Sequence, residues 1–177
     1  IGLGRTFQNI RLFKDLTVLD NVLIAMREVE KASFLANIFR LPKFYQTEQN
    51  LKEKAAELLA IFQLEDKMET LARNLPYGEQ RRLEIVRALA TQPKILFLDE
   101  PAAGMNPQET AELTDLIYRI QKEFKNTIIL SEHDMNLVMD VCERIYVLEY
   151  GQVIAEGTPD EIKGNSRVIE AYLGGEI

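Results

Sequence analysis

The chain has 177 residues, 46% of them hydrophobic and 28% charged, which is the composition of a globular protein rather than a disordered or fibrous one. Its formal net charge of −7 disfavours a nucleic-acid partner, because phosphate binding needs clustered lysine and arginine and the cluster Arg81, Arg82 and Arg87 is only local. No apolar run approaches the roughly 20 residues that cross a bilayer. The sequence therefore predicts a globular protein without a membrane span.

The single cysteine, Cys142, cannot form an internal disulfide, which suits a reducing cytosol, and we interpret it as a core residue. The first residue is Ile1 rather than methionine, and the residues after it resemble neither a signal peptide nor a polar tag. We therefore expect the chain to be trimmed on its N-terminal side. The opening segment Gly2-Leu3-Gly4 is interpreted as a turn.

Residues 19–90 show helical patterns and almost no strand signal, which predicts a helical subdomain inserted in an α/β frame. Residues 34–45, which are apolar and aromatic, are interpreted as a connection from a helix to a loop. The helical prediction rests on two apolar stripes, at Leu51, Ala55, Leu58, Leu59 and Phe62 and at Leu83, Val86, Leu89 and Ala90.

From Lys94 onward, short apolar runs alternate with helical periodicity, as expected for a parallel sheet. The run Ile95–Leu98 predicts a buried central strand that ends at Asp99 and Glu100. The next predicted element is a helix, with Asn106 as N-cap and its apolar stripe at Leu113, Leu116, Ile117, Ile120 and Phe124.

A second strand is predicted at Thr127–Leu130, and it ends in Ser131, Glu132 and His133 before helical spacing resumes. Further along, Arg144–Glu149 and Gln152–Ala155 predict a two-stranded turn unit, and Thr158–Lys163 a short capped helix.

Polar groups at the carboxyl ends of parallel strands are the first candidates for a site, because ligands bind there in open sheets. Asp99 could hold a magnesium ion and Glu100 could act on an attacking water, although acidic strand ends are also common as helix caps. His133, the only histidine, could equally be a surface or core residue. Gly78 precedes a predicted helix whose N-terminus could receive a phosphate, and a turn glycine would look the same.

The order and spacing of these segments resemble the ATPase domain of ABC transporters over nearly the whole chain. The matching segments are Arg5–Gln8 (Q-loop), Leu75–Gln80 (signature motif), Ile95–Pro101 (Walker B strand and catalytic glutamate), Ala103–Asn106 (D-loop) and Ser131–Asp134 (switch histidine).

The resemblance implies an α/β fold: a P-loop NTPase-like parallel sheet with an inserted helical subdomain. It divides the chain into a Q-loop segment at 1–18, a helical subdomain at 19–90 that ends in the signature helix, and an α/β core at 91–177.

The resemblance also implies roles toward ATP and Mg²⁺. Gln8 would touch the metal or the attacking water, Asp99 would hold the metal, Glu100 would act on the water and His133 would contact the γ-phosphate. The other residues implied to bind nucleotide are Tyr77, Gly78, Glu79, Gln80 and Asn106. Pro76 stands where many members have serine, and it has no donor, so the signature contact is expected to rest on backbone N–H groups near Gly78.

The implied partners are a second ATPase subunit in a head-to-tail dimer, membrane permease subunits and, indirectly, a periplasmic or extracellular substrate-binding protein. The implied location is peripheral, on the cytoplasmic side of the plasma membrane. The segments Asn9–Phe13, Pro101–Gly104, Gly157–Pro159 and Ala171–Gly174 resemble the branched-chain amino acid importers. The alternatives are a lipopolysaccharide-export ATPase and a soluble ABC ATPase without a transport role.

The phosphate-cradling string G-x-x-x-x-G-K-[ST] does not occur in the 177 residues. We therefore expect this chain alone to bind ATP weakly or not at all and to be inactive. Strands that the family places upstream are also missing, so an exposed apolar sheet edge and a tendency to aggregate are expected.

Overall fold

The computed structural model describes residues 2–29 and 42–172, which fall into two compact units, Ile1–Ser131 and Glu132–Ile177. The predicted Q-loop segment, the predicted helical subdomain and the first strands of the predicted core all lie in the first unit. None of the described helices is both long and apolar enough to cross a membrane.

The first unit contains four helices and three strands within its described residues, together with short 3₁₀ turns at Glu65–Lys67 and Ala72–Asn74. The strands are β1 (Leu3–Arg5), β2 (Ile95–Asp99) and β3 (Thr127–Ser131), and the helices are α1 (Val18–Val29), α2 (Pro42–Ile61), α3 (Tyr77–Ala90) and α4 (Pro107–Phe124).

The three strands form a sheet in the order β1-β2-β3, and both pairings are parallel, as predicted. The register pairs Arg5 with Phe97 and Asp99 with Ser131, so the carboxyl ends of the strands meet at one edge. This edge is where the predicted site residues of β2 are presented.

The interpretation of Gly2-Leu3-Gly4 as a turn is wrong, because Leu3–Arg5 is a strand paired with β2. The carbonyl of Gly2 accepts from the N–H groups of Lys94 (2.6 Å) and Ile95 (2.9 Å). A Cβ on Gly4 would lie 3.0 Å from Pro93 Cγ and 3.1 Å from the Ala88 carbonyl oxygen. Glycine therefore lets this short strand approach α3 closely.

The core of the first unit lies between one face of the sheet and the helices. Leu96 and Leu98 of β2 are fully buried, whereas Ile95 is 38% exposed and Phe97 half-buried. The prediction of a buried central strand is thus correct for one face only, because alternate residues of a strand point to opposite sides.

Both predicted helical stripes are buried, the first on α2 or just after it at Phe62, the second on α3. Of the connection predicted at 34–45, residues 34–41 lie outside the described part of the chain, and residues from 42 onward belong to α2.

Helix α4 begins with the predicted cap. The Asn106 side chain accepts from the Glu109 N–H (3.0 Å), and the Glu109 carboxylate accepts from the Asn106 N–H (2.9 Å), which completes a capping box. Its apolar stripe is buried from Leu113 to Ile120, but Phe124 at the last turn is 37% exposed, which corrects the prediction for that residue.

The second unit contains the predicted turn unit as an antiparallel pair, with an irregularity between Val147 and Leu148. Burial raises the pKa of the half-buried Cys142 thiol. The elements of this unit are β4 (Ile145–Glu149), β5 (Gln152–Gly157), α5 (Met135–Val141), α6 (Pro159–Lys163), with its predicted cap at Thr158, and α7 (Ser166–Tyr172).

Replacing Asn106 by alanine is expected to lower the free energy of unfolding by about 1 kcal/mol, because it removes the side-chain acceptor that caps α4. Asn106→Asp keeps an acceptor at the same place and should remain close to the parent. Urea unfolding followed by circular dichroism measures both. An alanine variant as stable as the parent would show that the cap contributes nothing.

Candidate active site at the carboxyl ends of the parallel strands

The structure brings Gln8 and Glu100 into contact. Gln8 lies three residues beyond β1, Glu100 follows β2 directly, and the parallel pairing places both beyond the same edge of the sheet. The Gln8 side-chain Nε2 donates to Glu100 Oε2 at 2.7 Å. An amide and a carboxylate are thus paired where open parallel sheets bind their ligands.

Glu100 has an uncommon backbone conformation, with φ of 43°, in the left-handed region. Such a conformation in a residue other than glycine persists only when its surroundings hold it, and it clusters at functional sites. The Glu100 N–H donates to Ser131 O (2.9 Å), and the Glu100 carbonyl accepts from Ala103 N (3.2 Å) and Arg81 Nη2 (3.4 Å). These three bonds fix the direction in which the carboxylate leaves the chain.

Asp99, at the end of β2, pairs with Arg5. Arg5 Nη2 donates to Asp99 Oδ2 at 2.9 Å, and the Asp99 N–H donates to Thr6 Oγ1 at 3.3 Å. The Arg5 guanidinium also lies over the rings of Phe7 (5.3 Å) and Phe97 (5.1 Å). The Asp99 carboxylate therefore lies at the sheet edge, paired with the Arg5 guanidinium group.

The oxygen donors at this edge suit Mg²⁺, which commonly binds one or two carboxylates together with substrate phosphates and water. Asp99 supplies a carboxylate that is 26% exposed, and Gln8 supplies an exposed amide. Residues 2–29 and 42–172 contain no cluster of three or more acidic, histidine or cysteine side chains that could hold a metal without such a substrate. The site fits magnesium delivered with a phosphate ligand.

Arg81, which its sequence context marks only as part of a local basic cluster, is fully buried beside this pair. Its Nη1 donates to Phe7 O (2.6 Å) and to Glu84 Oε2 (2.9 Å), and its Nη2 donates to Gln8 O (2.8 Å). Helical spacing was the signal that could have found it, since Arg81 precedes the buried Ile85 by four residues.

One face of α3 holds the segment after β1 at three successive points. Arg81 contacts Phe7 and Gln8, while Glu84 Oε1 accepts from the Arg11 N–H at 3.1 Å. Arg87 donates to the Arg11 carbonyl and lies 4.8 Å from the centroid of the Phe13 ring. Burial lowers the pKa of Arg87, and the nearby Glu84 carboxylate opposes that shift.

The signature segment starts α3 at Tyr77, and its N-cap, Pro76, makes no side-chain capping bond. Gly78 is buried, and a Cβ there would lie 2.9 Å from Glu109 Oε1. The ring of Tyr77 borders Gly104, whose φ is 78°, so the signature segment packs against the D-loop. The helix N-terminus is therefore left without a side-chain cap.

Three predicted nucleotide-binding residues are engaged in local contacts. Glu79 pairs with Lys67, Gln80 Nε2 donates to Leu75 O (2.8 Å), and Asn106 caps α4. Their contacts to nucleotide stay predictions.

His133 belongs to the second unit, and its side chain is 72% exposed. Its Nδ1 lies 3.7 Å from Glu132 Oε2, and the nearly buried Glu132 carboxylate also accepts from the His133 N–H at 3.0 Å. The Glu132 carboxylate thus holds the backbone of His133 and lies near its imidazole. Its predicted contact with the γ-phosphate, and its convergence with Glu100, stay predictions.

Comparison with known proteins decides the family. The family model described as ABC transporter matches residues 2–103, more than half of the chain. This chain belongs to the ABC transporter family. A second model, described as branched-chain amino acid ATP-binding cassette transporter, matches residues 152–177. The predicted family is therefore confirmed.

Several curated relatives of this ABC transporter chain are similar over almost its full length. LivG of Salmonella typhimurium and BraF of Pseudomonas aeruginosa, both named high-affinity branched-chain amino acid transport ATP-binding proteins, are each 46% identical over 98% of this chain. LptB of Haemophilus influenzae, a lipopolysaccharide export ATP-binding protein, is 34% identical. The chain spans 68% of the length of LivG and BraF and 66% of LptB.

Solved structures confirm the predicted fold class. CbiO1 of Clostridium perfringens superimposes with a TM-score of 0.78 at 27% identity, over 96% of this chain and 62% of its own. The ADP conformation of the ATP-binding cassette MJ1267 gives 0.76 at 30% identity, over 98% and 68% respectively. The ABC transporter chain therefore has the P-loop NTPase-like α/β fold.

Alanine at Gly104 is expected to lower the free energy of unfolding by about 1–2 kcal/mol, because φ of 78° is unfavourable for a residue with a Cβ. The added Cβ would meet the Tyr77 ring at 3.4 Å, an ordinary contact, so strain alone should decide the loss. Gly151→Ala is the control, since Gly151 has the same φ and no atom of the described part of the chain within 4 Å of its Cβ position. Urea unfolding should give similar losses, and a much larger one at Gly104 would contradict this account.

Proposed function

We propose that this chain forms the greater part of an ATP-binding and ATP-hydrolysing subunit that powers a branched-chain amino acid importer. Support comes from its family, from the 46% identity with LivG and BraF and from the match of residues 152–177. The observation that carries the chemistry is the 2.7 Å hydrogen bond between Gln8 and Glu100.

In the proposed reaction, water attacks the γ-phosphorus of ATP and the products are ADP and phosphate. Glu100 orients the water and accepts its proton, a type of help worth about 10²- to 10⁴-fold in rate. The Gln8 amide donates to one carboxylate oxygen and so fixes the plane of the base. The bonds that hold the left-handed backbone of Glu100 keep that plane in place.

The proposed cofactor is Mg²⁺, with Asp99 and the Gln8 amide oxygen as its protein ligands. When bound, the ion neutralises charge on the β- and γ-phosphate oxygens. Arg5 and the Asp99 N–H bond to Thr6 keep the Asp99 carboxylate at the sheet edge. His133, whose exposed imidazole lies near the Glu132 carboxylate, is the proposed contact to the γ-phosphate.

The proposed partner in catalysis is a second ATPase subunit, arranged head to tail, to whose ATP this chain presents the N-terminus of α3. The absence of a side-chain cap at Pro76 and the exposure of Tyr77, at 45%, support this role. Tyr77, Gly78, Glu79 and Gln80 of one subunit, with Asn106 of its D-loop, would then belong to the composite nucleotide sites.

The proposed surroundings are permease subunits in the plasma membrane, with a substrate-binding protein acting indirectly from the far side. The chain would lie peripherally on the cytoplasmic face. The net charge of −7 argues against a nucleic-acid partner. A lipopolysaccharide-export role is less well supported, because LptB is 34% identical and the two importer subunits 46%.

Hydrolysis is expected only where a phosphate-binding loop accompanies these residues, since the string G-x-x-x-x-G-K-[ST] does not occur among them. The protein to use in activity measurements is therefore an ATP-binding subunit that carries these residues together with such a loop.

Glu100→Gln is expected to reduce kcat for ATP hydrolysis by about 10²- to 10⁴-fold, because the amide cannot accept the proton of water. The dissociation constant for ATP should stay unchanged. Glu123→Gln is the control, since Glu123 is a half-exposed member of a 4.0 Å surface pair on α4. Phosphate release and equilibrium nucleotide titration measure the two quantities, and normal turnover in Glu100→Gln would refute the assignment.

Gly78→Asp is expected to slow hydrolysis by the assembled transporter by about 10²- to 10³-fold, because it places a negative charge where a phosphate should be stabilised. Gly78→Ala adds no charge and requires only a small shift of the Glu109 carboxylate, which would lie 2.9 Å from the new Cβ, so its effect should be much milder. The isolated subunit should bind ATP as the parent does, since the proposed contact is to the partner's nucleotide. An equal loss of ATP affinity in the isolated subunit would contradict a contact in trans.

A further inference from the structure

We infer that Arg81 is a positioning residue for ATP hydrolysis, because its guanidinium group holds the main chains of the Gln8 and Glu100 segments together. The inference rests on the proposed function of Gln8 and Glu100 and adds a residue that touches neither substrate nor metal. Arg81 comes directly after the signature segment on α3, so one side chain joins the signature helix to the catalytic pair.

The geometry of the contact explains why arginine is required. A guanidinium group presents five N–H donors in a rigid plane. The Arg81 guanidinium group donates four hydrogen bonds, to Phe7 O (2.6 Å), Gln8 O (2.8 Å), Glu100 O (3.4 Å) and Glu84 Oε2 (2.9 Å). The Gln8 and Glu100 side chains are themselves joined at 2.7 Å. Both ends of that catalytic hydrogen bond are therefore tied at the backbone to one planar group.

Burial supports a positioning role rather than a purely stabilising one. The Arg81 side chain is fully buried, its Glu84 partner is 5% exposed, and Arg81 Nε is buried without a hydrogen-bond partner among the described residues. Buried ion pairs often contribute little net stability compared with apolar residues of similar volume, and an unpaired buried donor adds a cost. The arrangement is better explained by what it holds in place.

We call the four hydrogen bonds of the Arg81 guanidinium group the clamp. Its proposed role is to hold the strained backbone of Glu100 in place. Glu100 has φ of 43°, and its carbonyl oxygen receives the bond from Arg81 as well as one from Ala103 N. Without Arg81 the Glu100 carbonyl loses one of its two described hydrogen bonds. The Gln8 segment loses its bonds to α3 at Phe7 and Gln8 and keeps, among the described bonds, only those at Arg11. A displacement of about 1 Å in a catalytic group can cost about 10²-fold in rate.

The test compares Arg81→Met, Arg81→Lys and the double variant Arg81→Met with Glu84→Met. Arg82→Met is the matched control, because Arg82 is the next residue on the helix and its described bonds go to Gln63 (3.2 Å) and Glu112 (3.5 Å). The double variant avoids leaving the Glu84 carboxylate buried and unpaired. The lysine variant keeps a positive charge beside Glu84, but an ammonium group cannot reach all the main-chain carbonyls that the guanidinium group binds. Each is made in a subunit that carries a phosphate-binding loop.

The expected result is a fall in kcat of about 10²-fold for the methionine and double variants, with KM for ATP unchanged, because positions of reacting groups change and nucleotide binding does not. The lysine variant should recover only part of the loss. Amide hydrogen exchange should quicken at residues 6–10 in all three variants, while α3 stays protected. Arg11 is left out of the double variant's comparison, because Glu84 itself accepts from its N–H. Arg82→Met should match the parent in every measurement.

Either of two results would overturn the inference: parent-like kcat in a folded double variant, or a loss of kcat accompanied by equal loosening throughout α3. ATP turnover of the parent and of Glu100→Gln distinguishes a failure of the proposed function from a failure of the positioning role of Arg81. A parent that does not hydrolyse ATP rejects the proposed function, and unchanged exchange at residues 6–10 in Arg81→Met then rejects the clamp independently. A parent that hydrolyses ATP normally, with Arg81→Met equally fast, rejects only the clamp.

Discussion

The buried guanidinium group of Arg81 is the contact on which the organisation of the candidate site depends. It joins segments that are far apart in sequence, since Gln8 comes before β2 and Glu100 after it, while Arg81 belongs to the helix that covers the sheet. Main-chain carbonyls accept all of its bonds except the one to Glu84. The clamp therefore fixes backbone positions whatever side chains the two segments carry, and the chemistry is set by the residues that stand there.

The parallel sheet supplies the second constraint. The parallel pairing of β1 with β2 and of β2 with β3 brings the carboxyl ends of all three strands to one edge. The hydrogen bond from the Glu100 N–H to Ser131 O extends the pairing one residue beyond β2. That extension is compatible with a left-handed Glu100, because the chain must turn away from the sheet there. Glu100 is thus held by Ser131 at the end of β3 through its N–H and by Arg81 of α3 through its carbonyl. Such over-determination is what lets an unfavourable conformation persist.

Much of this could be predicted from the sequence, and the exceptions have physical causes. Helical periodicity predicted α2 to α5, an unbroken apolar run predicted β2, and the capping residues Asn106 and Thr158 marked helix starts, because those signals are local. The short helix α7 was not predicted. The strand at Leu3–Arg5 was missed, since three residues are too few to show a period and two glycines flank Leu3. Arg81 was missed because charge suggests exposure, and only its carbonyl partners from residues 7, 8 and 100 make its burial favourable. The pairing of Arg5 with Asp99 likewise depends on strand register, which a single sequence does not specify.

The local contacts of the signature segment limit how it can meet a phosphate. Pro76 has no donor, Gln80 uses its amide on Leu75 O, and the Glu79 carboxylate would repel an anion if Lys67 were not paired with it. The groups that remain at this end of α3 are the backbone N–H groups in the first turn and the positive end of the helix dipole. Gly78 suits that task, because the absence of a side chain lets a ligand approach the backbone closely and the space its Cβ would need is taken by Glu109. The proposed phosphate recognition at this position therefore depends on main-chain geometry, and that geometry is set by the same helix whose Arg81 binds the Gln8 and Glu100 segments.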